Sequence, residues 1–257
     1  MTGLTRIADA FRDAPCFMPY MMGGFPTLDV SAQIAEVYVS SGARLIELGV
    51  PFSDPLADGE VIQAAGSRAL DNGTTLDDVL GIAKTITTVP VIVMCYANLI
   101  VHRGADRFVD ALVAAGVCGL IVPDLPFEES AELAEALLSS ELAFVQLVAP
   151  TTPPARIAAI AKRAQGFIYA VSVTGTTGER AGVNEDLASF VSKIRFHSDL
   201  PMAVGFGVSS AENARAVVGV GAHGVIVGSR LVRAASESVA AVELACEELS
   251  QAISPRR

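Results

Sequence analysis

Leu45–Glu60 reads LIELGVPFSDPLADGE: an apolar run, a loop rich in proline and aspartate, then the start of a helical pattern. The run has the look of a buried strand, yet a glutamate sits at its centre. A charged carboxylate inside a protein is costly unless it is paired or takes up a proton. Glu47 therefore has a task or an unusual location, and the surrounding chain must decide which.

The same strand-loop-helix unit recurs along the chain. Short apolar, β-branched runs occupy 16–22 (CFMPYMM), 44–50 (RLIELGV), 89–96 (VPVIVMCY), 118–124 (CGLIVPD), 143–150 (AFVQLVAP), 166–172 (GFIYAVS), 200–207 (LPMAVGFG) and 223–229 (HGVIVGS). Alanine-rich segments with helical spacing lie between them, at 31–42, 105–116, 129–141, 154–164, 184–195 and 210–221, and several close on the glycine expected at a helix end. The runs begin a strand plus a crossover helix apart, which hairpins would not require. Eight such units in 257 residues match the size of an α/β fold of one kind, the (β/α)8 TIM barrel. A doubly wound open sheet also alternates, but no Gly-x-Gly-x-x-Gly turn follows the first run. The oversized interval between the second and third runs holds two helices, 60–72 and 75–87, separated by Gly73. An extra N-terminal helix over 4–14 is predicted to plug the bottom of the barrel, and further helix follows strand eight. A single domain over 1–257 is expected.

Composition narrows the function. A formal charge of -10 and a pI near 4.8 oppose binding to nucleic acid or an anionic membrane, and no local basic stripe offsets them. The first fifteen residues lack a continuous apolar signal core, and the longest apolar region, 89–101, is too short to span a bilayer. A cytoplasmic protein is expected. Cys16, Cys95, Cys118 and Cys246 sit singly in apolar segments, as reduced buried thiols do. His102, His197 and His223 are scattered, so no metal site is expected.

In a barrel, the period of two puts Leu45, Glu47 and Gly49 on the inner face and Ile46, Leu48 and Val50 on the face toward the helices. Glu47 then points inward near the C-terminal end of its strand, where active sites of this fold lie, and Gly49 is predicted to leave room for a ligand. The alternative is a glutamate paired with an inward lysine or arginine. In the loop that follows, Asp54 precedes Pro55 and fits a turn former as well as a site residue. Asp58 fits a helix N-cap as well as a second site carboxyl. One carboxyl in an apolar mouth and one in a wetter loop is an arrangement that separates two pKa values into an acid and an anion.

The turns VGFGVSSAENARA after strand seven and VGSRLVRAA after strand eight place glycines just before helix starts. Bare N–H groups there can hold a phosphate without any lysine, in the loops this fold commonly uses for it, although glycines of tight turns would look alike. SVTGTTGERAG after strand six reads as a lid or as a flexible linker.

IELGVPFSDPLADG, followed in order by SVTGTTGER, VGFGVS and VIVGS, resembles the tryptophan synthase alpha subunit family over essentially the whole chain. The resemblance implies a lyase of tryptophan biosynthesis that cleaves indole-3-glycerol phosphate into indole and glyceraldehyde 3-phosphate. It implies no cofactor in this chain, with pyridoxal phosphate only in the beta subunit, which it joins as an alpha2beta2 tetramer. It implies Glu47 as the acid that protonates indole C3 and Asp58 as the anion facing the indole N–H. Tyr169 would position the substrate beside the acid, unless it is an ordinary packed tyrosine. Gly178, Gly207, Gly228 and Ser229 would hold the phosphate, Thr177 would tie the lid to Asp58, and Pro51, Asp54 and Asn98 would face the partner.

Some residues depart from the family pattern. Glu60 replaces a proline after ADG, which is expected to loosen the loop and add negative charge near Asp58. Thr174 and Thr176 make the lid more polar, Arg230 could add a cation near the phosphate, and MMGGFP is Met-rich. Two rivals remain: another phosphate-binding barrel enzyme, or a catalytically silent regulatory subunit. The first would use a lysine or a metal, but Lys84, Lys162 and Lys193 all fall on helical segments. The second is opposed by the intact Glu47 and Asp58.

Overall fold

The structure, a computed structural model, describes residues 1–13, 15–171, 180–205 and 207–254. Nine strands, all parallel to their neighbours, run in chain order as β1 Cys16–Met22, β2 Ile46–Gly49, β3 Val91–Met94, β4 Gly119–Ile121, β5 Ala143–Phe144, β6 Gln146–Val148, β7 Ile168–Val171, β8 Met202–Gly205 and β9 Gly224–Val227. Their lateral order is β5-β4-β3-β2-β1-β9-β8-β7-β6. The two ends of that order, β5 and β6, are consecutive in the chain, so the sheet closes into a barrel through Val145. The predicted fifth run is thus one strand that changes neighbour: Ala143 and Phe144 pair with β4, Gln146–Val148 with β7. The other runs contract to their hydrogen-bonded centres, because their ends pass into the loops of the mouth.

Helices α1 Gly3–Ala10, α2 Leu28–Ser40, α3 Glu60–Asp71, α4 Leu76–Thr85, α5 Ala97–Arg103, α6 Ala105–Ala114, α7 Ala131–Ser139, α8 Pro154–Arg163, α9 Arg180–His197, α10 Ala211–Gly219, α11 Ser229–Glu237 and α12 Val239–Ile253 surround the described barrel. Their starts follow local chemistry. Thr75 and Asp78 form a reciprocal capping box on α4, and Gly73, at φ +80°, makes the left-handed turn that separates α3 from α4. Three features were not anticipated: a helix in ANLIVHR, read above as the end of an apolar run; a 3-10 turn, Phe127–Glu129, ahead of α7; and a start of α9 four residues earlier than the pattern at 184.

The expected plug is present. Ile7 and Ala10 of α1 join Cys16, Met18, Leu45, Ile92 and Phe167 in a buried cluster inside the barrel. The Arg6 guanidinium donates to the carbonyls of Thr87 and Val89 at 3.0 and 2.8 Å, just before β3, which fixes α1 at the end where strands begin. Ile46, Leu48 and Val50 pack outward with the helices in a second cluster. All four cysteines are free and buried. Among the described residues no helix is long and apolar enough to cross a membrane.

Candidate active site

Glu47 enters the barrel from β2 as the alternation requires, with Tyr20 of β1 as its in-register neighbour. It is 1% exposed, and among the described residues its Oε2 has no hydrogen-bond partner. Among the described residues its carboxylate takes part in no ion pair; the pairs are Arg12–Asp9, Arg103–Asp77, Arg156–Glu128 and Arg230–Glu248. A structural salt bridge therefore does not account for it. Burial, reinforced by the Asp58 charge, pushes its pKa up to about 8, so at neutral pH it holds a proton.

Asp58 lies on the loop between β2 and α3. The N-cap of α3 is Gly59, without a side-chain cap, so Asp58 does not serve as the helix cap. Partial burial pushes its pKa up to about 6, while the Tyr96 hydroxyl beside it favours the ionised form. That hydroxyl accepts from the Ala57 N–H at 3.1 Å, and the Tyr96 ring stacks on Phe52 at 4.9 Å. Gln63 of α3 donates to the carbonyls of Asp58 and Pro55 at 2.8 and 3.3 Å. These bonds hold the loop from both sides, and Glu60, exposed in the first turn of α3, is not among the groups that shift Asp58. A glutamate suits that turn because the helix dipole is positive there.

The room at Gly49 is already taken. A Cβ at Gly49 would stand 2.1 Å from the Tyr20 hydroxyl oxygen, and one at Gly205 would stand 2.6 Å from that of Tyr169. These glycines admit phenols of the protein, which corrects the expectation that Gly49 leaves space for a ligand. Tyr169 is 9% exposed, and burial with the nearby Glu47 and Asp58 charges holds its hydroxyl protonated, far above the ordinary range.

After β9, two strands along from β2, Gly228 is the N-cap of α11 and Ser229 its first residue, with no side chain capping the helix. First-turn amides without intrahelical partners suit an anion. The neighbouring α10 is different: Ser210 caps it through the Asn213 N–H. Gly207, at φ +42°, has open space where a Cβ would sit. Arg230 does not supply a free cation there, because its guanidinium is bound by the Ser209 carbonyl and the Glu248 carboxylate. Thr174, Thr176, Thr177 and Gly178 lie outside the described residues.

Of the residues assigned to the partner face, Asp54 and Asn98 are exposed, but Pro51 is buried and offers little surface. Asp54 also behaves as a turn former: its carboxylate accepts from the Ser53 hydroxyl at 2.6 Å and its carbonyl from the Leu56 N–H at 2.9 Å. Asn98 lies in α5, not in a loop, and the Asp124 carboxylate holds that helix start through the Ala97 N–H at 2.8 Å. Among the described residues, no group of three or more His, Cys, Asp or Glu is placed to hold a metal ion. The groove between α6 and α7 is lined by Asp106, Asp110, Glu132 and Glu135, a wall that would repel a phosphate.

Sequence reasoning passed over Tyr20 and Tyr96. A signal was available: the chain has only four tyrosines, and three of them, Tyr20, Tyr96 and Tyr169, fall within predicted strand runs.

The profile of the tryptophan synthase alpha chain family matches residues 8–255. The chain belongs to the tryptophan synthase alpha chain family. The alpha chain of Synechococcus elongatus is 47% identical over 259 residues, covering 97% of each sequence. Among solved structures, tryptophan synthase from M. tuberculosis superposes with a TM-score of 0.90 at 32% identity, covering 99% of both chains. The tryptophan synthase complex from Pyrococcus furiosus gives 0.84 at 33%, covering 92% of this chain and 98% of that one. Membership in the tryptophan synthase alpha family makes this chain a lyase of tryptophan biosynthesis on a TIM barrel. Solved assemblies of that synthase include complexes, as the P. furiosus structure does.

Proposed function

We propose that Glu47 and Asp58 divide acid and anion roles in the retro-aldol cleavage of indole-3-glycerol phosphate to indole and glyceraldehyde 3-phosphate. The observation that carries this is a buried carboxyl inside the barrel mouth whose Oε2 finds no partner among the described residues, near a second carboxyl on the β2–α3 loop; burial raises the pKa of the first further than that of the second. An indole carbanion is a poor leaving group, so the ring must first be protonated at C3. Glu47 gives its proton to C3, and the positive charge that develops on the ring nitrogen is met by Asp58 accepting the N–H hydrogen bond. The carbon–carbon bond then breaks with its electron pair returning to the ring. The proton of the adjacent chain hydroxyl passes to the Glu47 carboxylate, which restores the acid.

Tyr169 orients the substrate beside Glu47, and the amides at Gly228 and Ser229, with Gly207, hold the phosphate. No step calls for a cofactor in this chain. The partner is a beta subunit in an alpha2beta2 tetramer in the cytoplasm. Leu56 and Val101, 92% and 78% exposed beside Asp54 and Asn98, support a docking face at the mouth. Indole release from indole-3-glycerol phosphate, measured with and without a beta subunit, tests the reading. Turnover that survives unchanged in Glu47→Gln would overturn it.

A further inference from the structure

The reaction as derived leaves one tyrosine of the mouth without a task. Tyr20 is 3% exposed, and its own carbonyl accepts from the Tyr38 hydroxyl at 2.9 Å, which anchors the backbone beneath the ring. The side chain lies between the two strands that flank β1, with β9 on one side and β2 on the other. Its Cβ and Cδ1 lie 3.9 Å from where a Cβ on Gly228 would sit, and its hydroxyl lies 2.1 Å from where a Cβ on Gly49 would sit. One end therefore touches the turn that begins α11, and the other lies on β2 two residues beyond Glu47.

Among the described residues no side chain or backbone group is seen hydrogen-bonding to that hydroxyl, and none pairs with Glu47 Oε2. A Phe would occupy the same ring space, so what the phenol adds at this position is a hydroxyl that a polar group entering the mouth can use. A polar group arriving with the substrate can supply the missing bond. Between a carboxyl at indole C3 and a phosphate at Gly228, the stretch of substrate is the glycerol chain, which carries hydroxyls.

We propose that Tyr20 is a positioning residue for the glycerol chain, its hydroxyl hydrogen-bonding a chain hydroxyl and holding it against Glu47. This rests on the acid role of Glu47 and the phosphate role of Gly228 and Ser229, and it adds a recognition element for the segment between them.

The test is Tyr20→Phe, which keeps the ring and removes one oxygen, with thermal unfolding checked alongside. Inorganic phosphate and glycerol 3-phosphate are compared as competitive inhibitors of indole release. The expected result is a rise in the glycerol 3-phosphate inhibition constant of roughly tenfold, the scale of one hydrogen bond, with the phosphate constant unchanged and kcat reduced by a similar factor. Equal inhibition constants in both proteins would overturn the proposal, as would a parallel loss for both ligands, which marks general damage to the site. Failure of phosphate to compete in the unmodified protein would instead remove the phosphate cradle, and Tyr20's role with it. Normal turnover in Glu47→Gln would remove the acid assignment, and a changed Tyr20→Phe beside it would leave Tyr20 as a contact to the glycerol chain but not as one that holds it against Glu47.

Discussion

At the end of the barrel where strands begin, α1 presses Ile7 and Ala10 onto Cys16, Met18, Leu45 and Phe167, and the interior is filled with carbon and sulfur. At the other end the same strands present Tyr20, Glu47 and Tyr169 inward, and the β2–α3 loop adds Asp58. Leu45, just before β2, and Glu47 are two positions apart and share a face, so alternation alone treats them alike. What separates them is the cover. The lower layer is sealed by a helix, which rewards apolar area. The upper layer opens on loops, where a carboxyl can lack a protein partner and keep a proton for another use.

The largest expected effect falls on the upper layer. Glu47→Gln and Asp58→Ala should each cut indole release at least about a hundredfold while far-UV circular dichroism and the cooperative melt are retained. A loss of structure in step with the loss of activity would erase the distinction between the two ends. The mirror experiment is Ile7→Ala. Ile7 is fully buried, and deleting its side chain should lower stability by about 2–4 kcal/mol, read by denaturant titration, with kcat per folded molecule unchanged.

A smaller effect sharpens the same contrast. The folded pKa of Glu47 lies near 8, above the ordinary 4.5, so between those values the folded state holds more protons than the unfolded chain. Stability contributed by this group is then complete at low pH and is lost as pH rises toward 8. Glu47→Gln carries no such penalty. It should equal the parent protein near pH 5 and exceed it by on the order of 1–3 kcal/mol near pH 8. A stability difference independent of pH would mean that the carboxyl is not desolvated as its burial implies.

Much of this was legible in the sequence, and the gaps have physical causes. The apolar runs, their spacing and the glycine at 73 set out the barrel, and a lone glutamate in a strand marked the candidate site, because local periodicity and charge are local properties. The change of neighbour at Val145 was hidden, since pairing in a closed sheet depends on residues far away in the chain. ANLIVHR was hidden too: its apolar residues continue those of β3, and only the Asp124 carboxylate, contributed from beyond β4, marks where the helix begins. The Gly49 reading failed for a related reason. A glycine beside a glutamate announces space, but only the neighbouring strand shows that Tyr20 fills it.

The smallest expected effect tests how the upper layer divides its two carboxyls. Asp58 must be ionised to face a cationic indole, whereas Glu47 must be protonated, so activity should fall below about pH 6 and above about pH 8. Tyr96 bears on only one of these limbs. Its hydroxyl favours the Asp58 anion, and it also accepts the Ala57 N–H that steadies the loop. Tyr96→Phe removes that support, so the Asp58 pKa rises and the acid limb moves toward neutral pH by about half a unit to one unit, while the alkaline limb stays in place. The measurement is kcat/KM for indole release across pH 5–9 in both proteins. Activity should fall several-fold more at pH 6 than at pH 8. A shift of both limbs together would mean that the carboxyls titrate as one coupled pair, and that loop and barrel wall do not set their charges separately.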